Sequence, residues 1–565
     1  MYEDKQNMDA DLQLFYTDSL IQNQNPLEQS FLGQTNVSTP ISPMNDDINV
    51  EGIDISNSMD TGIETDLVTD LDNLGDSRNS DQITGIENAA EELGALIIPS
   101  ENPTPQSSGG NFYYVSPGGS DENSGSQDQP WKSINYAVSE DSPIAPGDTV
   151  LVQPGTYTEL ISLGKSGSDS QRITLKANGD VTLRDPDPNN GSFPEGVIQS
   201  PGQSNWIIDG FRIENTSWAG ISLSDPKNIT VQNNETYQTG SSGIIALPKT
   251  FFGGGEKEVT GSNVKILNNT VERANWKWDG PGDKDGDQEA LSIWGVDGFE
   301  VANNTMIDGK REGMDIKVGS RNGLIHNNSI TSQALISGTY EGFRGGAAIY
   351  VDGNRADLFN LDIYNNEIFS NTADAILLAD EAPNIGDVSD INIYNNVIHG
   401  NGRRVENGGV GVAIANNVED VEIVNNTFAN NVQGVVVDNN NRGYNPRNIL
   451  VRNNIFSENS FQNVYVEDAS NVTLDNNLFV NTDENEDKTE ILYDGGEGVA
   501  NLNAFDNELV ESADFVNLEA NDYRLKSTSP AIDIGSSSIG EYANLDKDGK
   551  QRLSGAGIDA GAYEF

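Results

Sequence analysis

Nine Asn-Asn doublets, each set between apolar residues, constrain the fold of this chain more than any other feature of its sequence. They recur every 23 to 38 residues, with first asparagines at 233, 268, 303, 327, 365, 395, 425, 453 and 476. A repeat of 20 to 50 residues generally indicates stacked structural units. Runs of three to six residues within each unit alternate apolar and polar, which is typical of β-strands. The sequence therefore predicts an all-β solenoid whose asparagines form a stacked amide ladder at one corner.

A second strand of each repeat can be aligned from its own alternation, because successive side chains of a strand point to opposite faces. Apolar residues such as Leu291, Ile293, Met314 and Ile316 take the inward positions. Two outward columns result: Ser222, Ile245, Ser292, Asp315, Ala348, Leu377 and Ala413, then Ser224, Leu247, Trp294, Lys317, Tyr350, Ala379 and Ala415. Charge and aromatic rings are concentrated in the middle turns of an otherwise small or apolar face, so we expect an exposed binding site there.

Composition excludes several classes of function. The chain has 565 residues, no Cys, two His and a formal net charge of −56. This acidity argues against nucleic acid as a partner, since phosphate binding needs a basic surface, and it favours divalent cations as ligands. No apolar run is long enough to span a membrane. The N-terminal residues also lack the basic and apolar segments of a secretory signal peptide.

The chain divides into four predicted segments. Residues 1–109 are rich in Asp, Asn, Ser, Gln and Pro and are expected to form a disordered acidic leader. Residues 110–160 are the predicted entry segment and cap of the solenoid. The repeats occupy 161–500, and 501–565 form a predicted C-terminal capping module.

Acidic residues in the middle turns predict a calcium site. Glu289 and Glu312 directly precede two adjacent outward strands, and Asp315 lies in the second of these. Three further acids, Asp283, Asp285 and Asp287, precede the first strand. Oxygen ligands without Cys or His suit Ca²⁺ rather than Zn²⁺, and stacked glutamates need a neutralising charge. A solvated acidic loop is the alternative interpretation.

Lys317 is the predicted catalytic base, placed by the alignment between Trp294 and Tyr350 of the neighbouring turns. Desolvation beside aromatic rings favours loss of a lysine proton. A nearby carboxylate would oppose this by raising the pKa of Lys317, and a bound divalent cation would offset the carboxylate. The alternative is a structural ion pair of Lys317 with Asp315 or Glu312.

Cationic residues are enriched around the same strands, which favours an anionic ligand. Within 46 residues fall Lys310, Arg311, Lys317, Arg321, Arg344 and Arg355, against 32 basic residues in the whole chain. We expect Lys310, Arg311 and Arg321 to bind substrate. Arg344 lies on a Gly-rich loop and is expected to contact a substrate carboxylate or to donate a proton.

The repeats and the opening segment YVSPGGSDENSGSQDQPWKSINYAV resemble the right-handed parallel β-helix of polysaccharide lyases that act on polyuronides. The pectate-lyase-like and the alginate or chondroitin-lyase groups are the most similar. The ending, from DYRLKSTSPAIDIGSSS to DAGAYEF, resembles a terminal module of bacterial surface β-helix proteins.

The resemblance also bears on the ligand set. One lyase group combines an acidic calcium ligand in one turn with an acid-acid-Gly-aromatic-Asp string in the next. Asp287 matches the first and Glu312-Gly313-Met314-Asp315 partly matches the second, with Arg311 where an acidic ligand is expected. In the alginate and chondroitin group, Glu ligands are followed by a Lys base and an Arg, which Glu312, Lys317 and Arg344 match with the lysine displaced in register. The resulting predicted ligands are Asp287, Glu289, Glu312 and Asp315.

The function that the resemblance implies is calcium-assisted β-elimination on an acidic, uronate-containing polysaccharide. Ca²⁺ and an Arg would hold the uronate carboxylate while Lys317 removes the C5 proton. Trp294 and Tyr350, with Trp276 or Trp278, would stack on sugar rings. We expect a monomer, outside the cell or on its surface.

Three other functions use the same scaffold. A C5 epimerase would abstract the same proton, and a non-catalytic adhesin or carbohydrate-binding protein would show the same solenoid and acidity. A β-helix glycosidase is disfavoured, because it would need a well-spaced carboxylate pair and, by resemblance, usually a Gly-His-Gly stretch.

Overall fold

A parallel β-helix is the architecture of the described part of the chain. The computed structural model describes residues 110–251, 258–281, 283, 286, 288–339, 346–379, 386–402, 408–439, 444–480, 492–494 and 499–565. Each turn contributes one strand to each of three sheets, A, B and C, and the chain then returns to sheet A one strand further on. The predicted all-β solenoid is confirmed.

Sheet A has 14 strands, sheet B 13 and sheet C 12, and each pairs its strands in parallel between consecutive turns. The strands of sheet A are Phe112–Val115, Thr149–Val152, Ile173–Ala177, Ser204–Asp209, Lys227–Gln232, Gly261–Leu267, Val296–Ala302, Arg321–His326, Leu358–Tyr364, Val388–Tyr394, Val418–Val424, Arg447–Arg452, Ser470–Asp475 and Ala500–Phe505. Those of sheet B are Gly155–Thr158, Val181–Arg184, Arg212–Thr216, Glu235–Thr239, Thr270–Glu272, Thr305–Ile307, Ser329–Thr331, Glu367–Phe369, Val397–His399, Thr427–Ala429, Ile455–Ser457, Leu478–Val480 and Glu508–Val510. Those of sheet C are Ile161–Ser162, Gly196–Pro201, Ala219–Ser224, Ile244–Leu247, Leu291–Trp294, Met314–Lys317, Ala347–Asp352, Asp374–Ala379, Val410–Ala415, Gln433–Asp438, Gln462–Val466 and Leu492–Asp494.

Sheets A and C differ in how much of their outer face is covered. In sheet A, the strand Leu358–Tyr364 alternates buried and partly exposed residues, as expected where one face meets solvent. In sheet C, Ala347–Asp352 and Asp374–Ala379 are buried at every position. Side chains on both faces of these sheet C strands are therefore removed from water. Polar groups on the outer face of sheet C need partners within the protein.

The two asparagines of each doublet have different structural roles. The first asparagine has a left-handed backbone, with φ of 55° at Asn395, a conformation that Asn tolerates better than most residues. The second is buried and bonds to the next turn. Asn396 Nδ2 donates to Asn426 Oδ1 at 3.0 Å and to the backbone oxygen of Ile363 at 2.8 Å. Equivalent bonds link the second asparagines of the nine doublets, from Asn234 to Asn477, and then Asn507 into an amide ladder.

Replacing Asn396 with Ala is expected to lower the free energy of unfolding by about 2 to 3 kcal/mol, because buried amide partners in two neighbouring turns lose a hydrogen bond. Asn503→Ala, at an exposed position of sheet A, is the matched control and is expected to stay within about 0.5 kcal/mol of the wild type. Chemical denaturation followed by circular dichroism measures both. Equal losses of unfolding free energy in the two variants would show that the amide ladder contributes no more to stability than an exposed asparagine does.

The C-terminal residues return along the solenoid and use the first asparagines as contacts. Asn395 Nδ2 donates to the backbone oxygen of Leu545 at 2.6 Å, and Asn453 Nδ2 donates to that of Ser536 at 3.0 Å. The buried Arg552 guanidinium donates to Asn395 Oδ1 at 2.6 Å. The predicted capping module also contributes the last strands of sheets A and B before it turns back, followed by an antiparallel pair, Phe515–Asn517 and Asp522–Leu525.

Helices are few and short in the described residues: an α-helix at Ile134–Val138 and 3-10 turns at Leu518–Ala520 and Glu541–Ala543. None of them is long and apolar enough to cross a membrane. The predicted leader, 1–109, lies outside the described residues.

Candidate functional site

Three consecutive strands of sheet C carry the charged site: Leu291–Trp294, Met314–Lys317 and Ala347–Asp352. Ile293, Ile316 and Val351 are paired across these turns and point into the main core. The residues between them point to the outer face because strand side chains alternate. Asp315 and Lys317 are therefore outward, as the sequence predicted.

Tyr350 is not the neighbour of Lys317, which corrects the predicted alignment. Tyr350 pairs with Asp315, so the position next to Lys317 falls to Asp352. Ala348, predicted to be outward, packs in the main core. The strand is displaced by two residues after the insertion that precedes it. Ala347, predicted to be inward, packs with Tyr350 in an outer cluster. From Ile349 onward a shift of two keeps each side chain on its expected face, so alternation alone could not detect the shift.

Lys317 lies among three carboxylates contributed by three successive turns. Its Nζ is 2.8 Å from Asp315 Oδ2, 3.4 Å from Asp352 Oδ2 and 4.0 Å from Glu289 Oε1. These four residues are the Lys317 cluster. The Lys317 side chain is 14% exposed, whereas the three acids are buried. Sequence reasoning missed Asp352; its only signal was the Val-Asp-Gly that ends the strand.

Neighbouring polar groups fix the orientation of the acids. The Trp294 indole N–H donates to Asp315 Oδ2 at 2.9 Å, and the Ser292 hydroxyl donates to Glu289 Oε2 at 3.1 Å. The backbone N–H of Asn354 donates to Asp352 Oδ1 at 2.9 Å. Each carboxylate of the cluster thus has a partner besides Lys317, which holds the group in one arrangement.

The ammonium form of Lys317 is favoured, contrary to the predicted effect of desolvation. Burial by itself lowers the pKa of Lys317. The negative charges of Asp315, Glu289 and Asp352 outweigh burial and raise that pKa above its ordinary value. The alternative that the sequence left open, an ion pair with Asp315, is present, whereas the Lys317 pair with Glu312 is absent from the ion pairs of the described residues. As it stands, Lys317 holds its proton at neutral pH.

The acids of the cluster differ in their affinity for a proton. Burial, together with the charges of Glu289 and Asp352, raises the pKa of Asp315 well above its usual range, although Lys317 acts against this. Burial also opposes ionisation of Glu289, but Lys317 and Arg311 outweigh it and hold the pKa of Glu289 below its ordinary value. Of these two carboxyl groups, Asp315 therefore binds a proton more readily than Glu289.

The prediction that Trp294 and Tyr350 form an exposed aromatic surface is wrong. Trp294 is 2% exposed and Tyr350 5% exposed. The ring of Phe251 lies 4.9 Å from that of Trp294 in one outer apolar cluster, and Tyr350 packs with Leu377 in another. Insertions and adjacent turns cover the strand face that the alignment treated as open. Trp294 instead acts as a hydrogen-bond donor to Asp315, and its ring lies 4.7 Å from Lys317 Nζ.

The predicted substrate-binding cations are distributed over separate places. Arg321 lies in sheet A and pairs with Asp297 at 2.9 Å. Arg311 pairs with Glu312 at 3.1 Å. Lys310 Nζ donates to backbone oxygens of the insertion that precedes the site. The predicted catalytic Arg344 lies outside the described residues.

The predicted calcium ligands are only partly described. Glu289, Glu312 and Asp315 are buried near one another, and Asp287 lies outside the described residues. Within the part of the chain that the structure describes, no three His, Cys, Asp or Glu side chains form a group that could hold a metal ion. One observation favours a missing partner at this point: Asp315 Oδ1 is buried and has no hydrogen bond.

The fold and the site together define a class of protein: a β-solenoid with a charged centre on its outer face. The chain belongs to the right-handed β-helix family. The model described as "Right handed beta helix region" matches residues 195–385 and 343–513, which together span more than half of the chain. A model described as "Pel9A-like, right handed beta helix region" matches residues 113–271. The resemblance to pectate-lyase-like β-helices is confirmed.

Individual relatives are more distant. The uncharacterised protein YwoF of Bacillus subtilis (strain 168) is 25% identical over 323 residues, which cover 52% of this chain and 64% of that protein. The match therefore spans less than two thirds of the relative.

Solved structures with a related architecture include three enzymes. Pectate lyase Pel9A is 18% identical, with coverage of 81% of this chain and 98% of that one and a TM-score of 0.40. The alginate lyase of Paenibacillus sp. str. FPU-7 is 16% identical, covering 56% and 94%, with a TM-score of 0.42. The A-module of the Azotobacter vinelandii mannuronan C-5 epimerase AlgE6 is 16% identical, covering 64% and 91%, also at 0.42. These values carry no conclusion about activity.

Proposed function

We propose that this protein cleaves an acidic, uronate-containing polysaccharide by β-elimination at the Lys317 cluster. The observation that carries the proposal is the ammonium of Lys317 placed among carboxylates from three successive turns, on the outer face of a β-helix. Buried charge of this kind is costly for a scaffold that is otherwise apolar at the same positions. Functional sites are where such costs are commonly retained. A substrate of this class lies outside the cell, so we place the protein there or on the cell surface.

In the proposed reaction, a base removes the proton at C5 of the uronate, and the C4–O glycosidic bond breaks as the C4=C5 double bond forms. The leaving oxygen takes up a proton. Lys317 is the proposed base, and its ammonium form, which then carries the C5 proton, protonates the leaving oxygen. Trp294 and Ser292 orient the carboxylates through their hydrogen bonds.

Calcium is part of the proposal. The cluster has three carboxylates for one ammonium, and its donor atoms are the oxygens that Ca²⁺ prefers. The unpartnered Asp315 Oδ1 fits an additional cation. The proposed ligands are Glu289, Glu312 and Asp315, with Asp287. Bound Ca²⁺ would neutralise the substrate carboxylate and offset the acidic charge. With that charge offset, Lys317 could release the proton that the acids otherwise hold on it.

Hydrolysis of a glycosidic bond is the second candidate, and a specific observation favours it. The pKa of Asp315 is raised and that of Glu289 is lowered, which is the difference expected between the general acid and the general base of a glycosidase. In that case Lys317 would remain an ammonium and serve only to hold the two carboxyl groups in their different states.

Pectate, alginate and glycosaminoglycans, each incubated with calcium and with a chelator, test the proposal. We expect one polyuronate to yield an unsaturated product, seen as a rise in ultraviolet absorbance, and the chelator to abolish it. The absorbance is measured alongside newly formed reducing ends and the ratio of the two C5 epimers by NMR.

The outcomes separate the candidates. Reducing ends without ultraviolet absorbance would replace elimination by hydrolysis, and a changed epimer ratio without cleavage would replace it by epimerisation. Binding without any chemical change would make this a non-catalytic carbohydrate-binding protein. Elimination that persists in chelator would remove calcium from the proposal but leave the Lys317 assignment standing.

A further inference from the structure

An aromatic and cationic surface lies on the turns that lead into the Lys317 cluster. Trp276 is 42% exposed, a high value for so large an apolar side chain. Arg273 Cζ lies 5.3 Å and Lys310 Nζ 5.2 Å from the centre of its ring. Tyr237, from the preceding turn, accepts a hydrogen bond from Arg273 Nη1 at 3.3 Å. These four residues form the Trp276 patch.

The Trp276 patch is positively charged in a chain whose formal net charge is −56. Among the described residues Arg273 has no ion-pair partner. Lys310 pairs only with Asp279, at 3.3 Å, and the Asp279 side chain is 86% exposed, so water screens that pair. Lys310 Nζ also donates to the backbone oxygen of Trp276 at 2.7 Å, which fixes the ammonium beside the ring. The Lys310 side chain itself is 16% exposed, so the patch combines a largely covered ammonium with the guanidinium of Arg273 around an exposed apolar ring.

We propose that the Trp276 patch is a binding subsite for one ring of an anionic polysaccharide. The apolar C–H face of a sugar ring buries the exposed part of Trp276, and an acidic substituent of that ring meets Arg273 and Lys310. A guanidinium presents paired N–H donors that match a carboxylate, and Arg273 is already oriented by Tyr237. A neutral glycan would gain only the stacking, and a cationic one would be repelled.

The subsite lies outside the Lys317 cluster but adjoins it. Arg311 Cζ is 5.0 Å from the ring of the buried Trp278, and Arg311 pairs with Glu312, which lies two residues before the strand that carries Lys317. A polymer held at Trp276 would therefore have neighbouring sugar units near the charged strands of sheet C. The inference rests on the proposed function in that both sites take the same polymer. The Trp276 patch would nevertheless bind an anionic polysaccharide in the same way if the protein does not cleave it.

Binding measurements on a Lys317→Arg background, which keeps the positive charge of the cluster, test the subsite without turnover. Isothermal titration with a polyuronate, a sulfated glycan and a neutral glycan of similar length compares Trp276→Ala and Arg273→Gln with that parent. We expect Trp276→Ala to weaken binding of anionic glycans about tenfold or more, and Arg273→Gln to do so for anionic but not for neutral chains. Phe461→Ala and Arg524→Gln, at remote and comparably exposed positions, are the matched controls.

Two results would overturn the subsite: unchanged affinity in Trp276→Ala, or equal losses in Trp276→Ala and Phe461→Ala. Preference for the sulfated over the uronate chain would keep the subsite and change the acid group it recognises. If Lys317→Ala leaves cleavage intact while Trp276→Ala weakens binding, the proposed function fails and the subsite stands. If cleavage is found, Trp276→Ala is expected to raise KM about tenfold at unchanged kcat, a split that a general loss of folding would not produce.

Discussion

Lys317→Ala is expected to reduce formation of the unsaturated product about 100- to 10,000-fold, the usual contribution of a positioned acid or base. The expected loss is in kcat, because Lys317 is proposed to act on the proton transferred in the reaction. Initial rates on the polyuronate that the wild type cleaves, followed by ultraviolet absorbance, measure it. Lys265→Ala is the matched control: Lys265 also pairs with a glutamate on an outer sheet face, that of sheet A, and is expected to be dispensable.

A second substitution separates the chemistry of Lys317 from its charge. Removing an ammonium from among three carboxylates exposes those acids to mutual repulsion, so Lys317→Ala could lose activity through misfolding alone. Lys317→Arg keeps the positive charge, but a guanidinium holds its proton too tightly to act as a base. Under the proposal Lys317→Arg is folded and inactive. An active Lys317→Arg variant would show that only the charge matters, which is the arrangement required for hydrolysis by the carboxyl pair.

Asp374→Asn is expected to stabilise the protein increasingly as the pH rises from about 4 to 7. Asp374 is fully buried, and burial raises the pKa of its carboxyl to about 7, although backbone N–H donors of Val410 and Gly409 oppose the shift. Over this interval the unfolded chain releases the Asp374 proton while the folded chain keeps it, so folding becomes less favourable. Above the pKa of Asp374 in the folded protein, the loss of stability is complete and no longer changes with pH. At about 1.4 kcal/mol per pKa unit, it amounts to at most about 4 kcal/mol.

The asparagine variant preserves the contacts while removing the titration. Both backbone donors bond to Asp374 Oδ1, at 2.9 and 2.8 Å, and an amide oxygen can accept the same two bonds. Thermal midpoints of wild type and variant between pH 4 and 8 test the expectation. Asp390→Asn, at an exposed position, is the control for removing one negative charge from the surface. Parallel curves for wild type and Asp374→Asn would show that Asp374 does not titrate in this range.

Much of the candidate site was predictable because strand alternation is a local property. Asp315 and Lys317 are predicted to point outward because their neighbours in the same strand, Met314 and Ile316, are apolar and point inward. The partner of Lys317 across turns was not predictable in this way. It depends on how many residues the insertion before Ala347 adds, and a change of two leaves the alternating pattern intact. Asp352 was therefore missed, and Tyr350 was placed two positions away from its actual neighbour, Asp315.

The prediction of the protonation state of Lys317 failed for a related reason. The sequence showed aromatic rings beside the lysine and predicted that desolvation would lower its pKa. The outcome depends on distances, because the interaction with a carboxylate falls off with separation and grows with burial. Three acids within 4.0 Å of one ammonium outweigh desolvation. Only the assembled turns bring Glu289, Asp315 and Asp352 that close to Lys317.

The solenoid and its asparagine ladder follow from the sequence alone, since both arise from a pattern repeated within every turn and require no knowledge of distant contacts. The sequence also indicates which strands carry charge. The tertiary structure decided which charges meet, which rings are covered and where an aromatic ring stays exposed. Trp294 and Trp276 illustrate the difference: they are 18 positions apart, Trp294 at the end of a strand of sheet C and Trp276 in the turn before it, and packing buries the first and leaves the second open to solvent. Burial of an outward residue depends on the turns and insertions stacked over it, and that information is absent from its own strand.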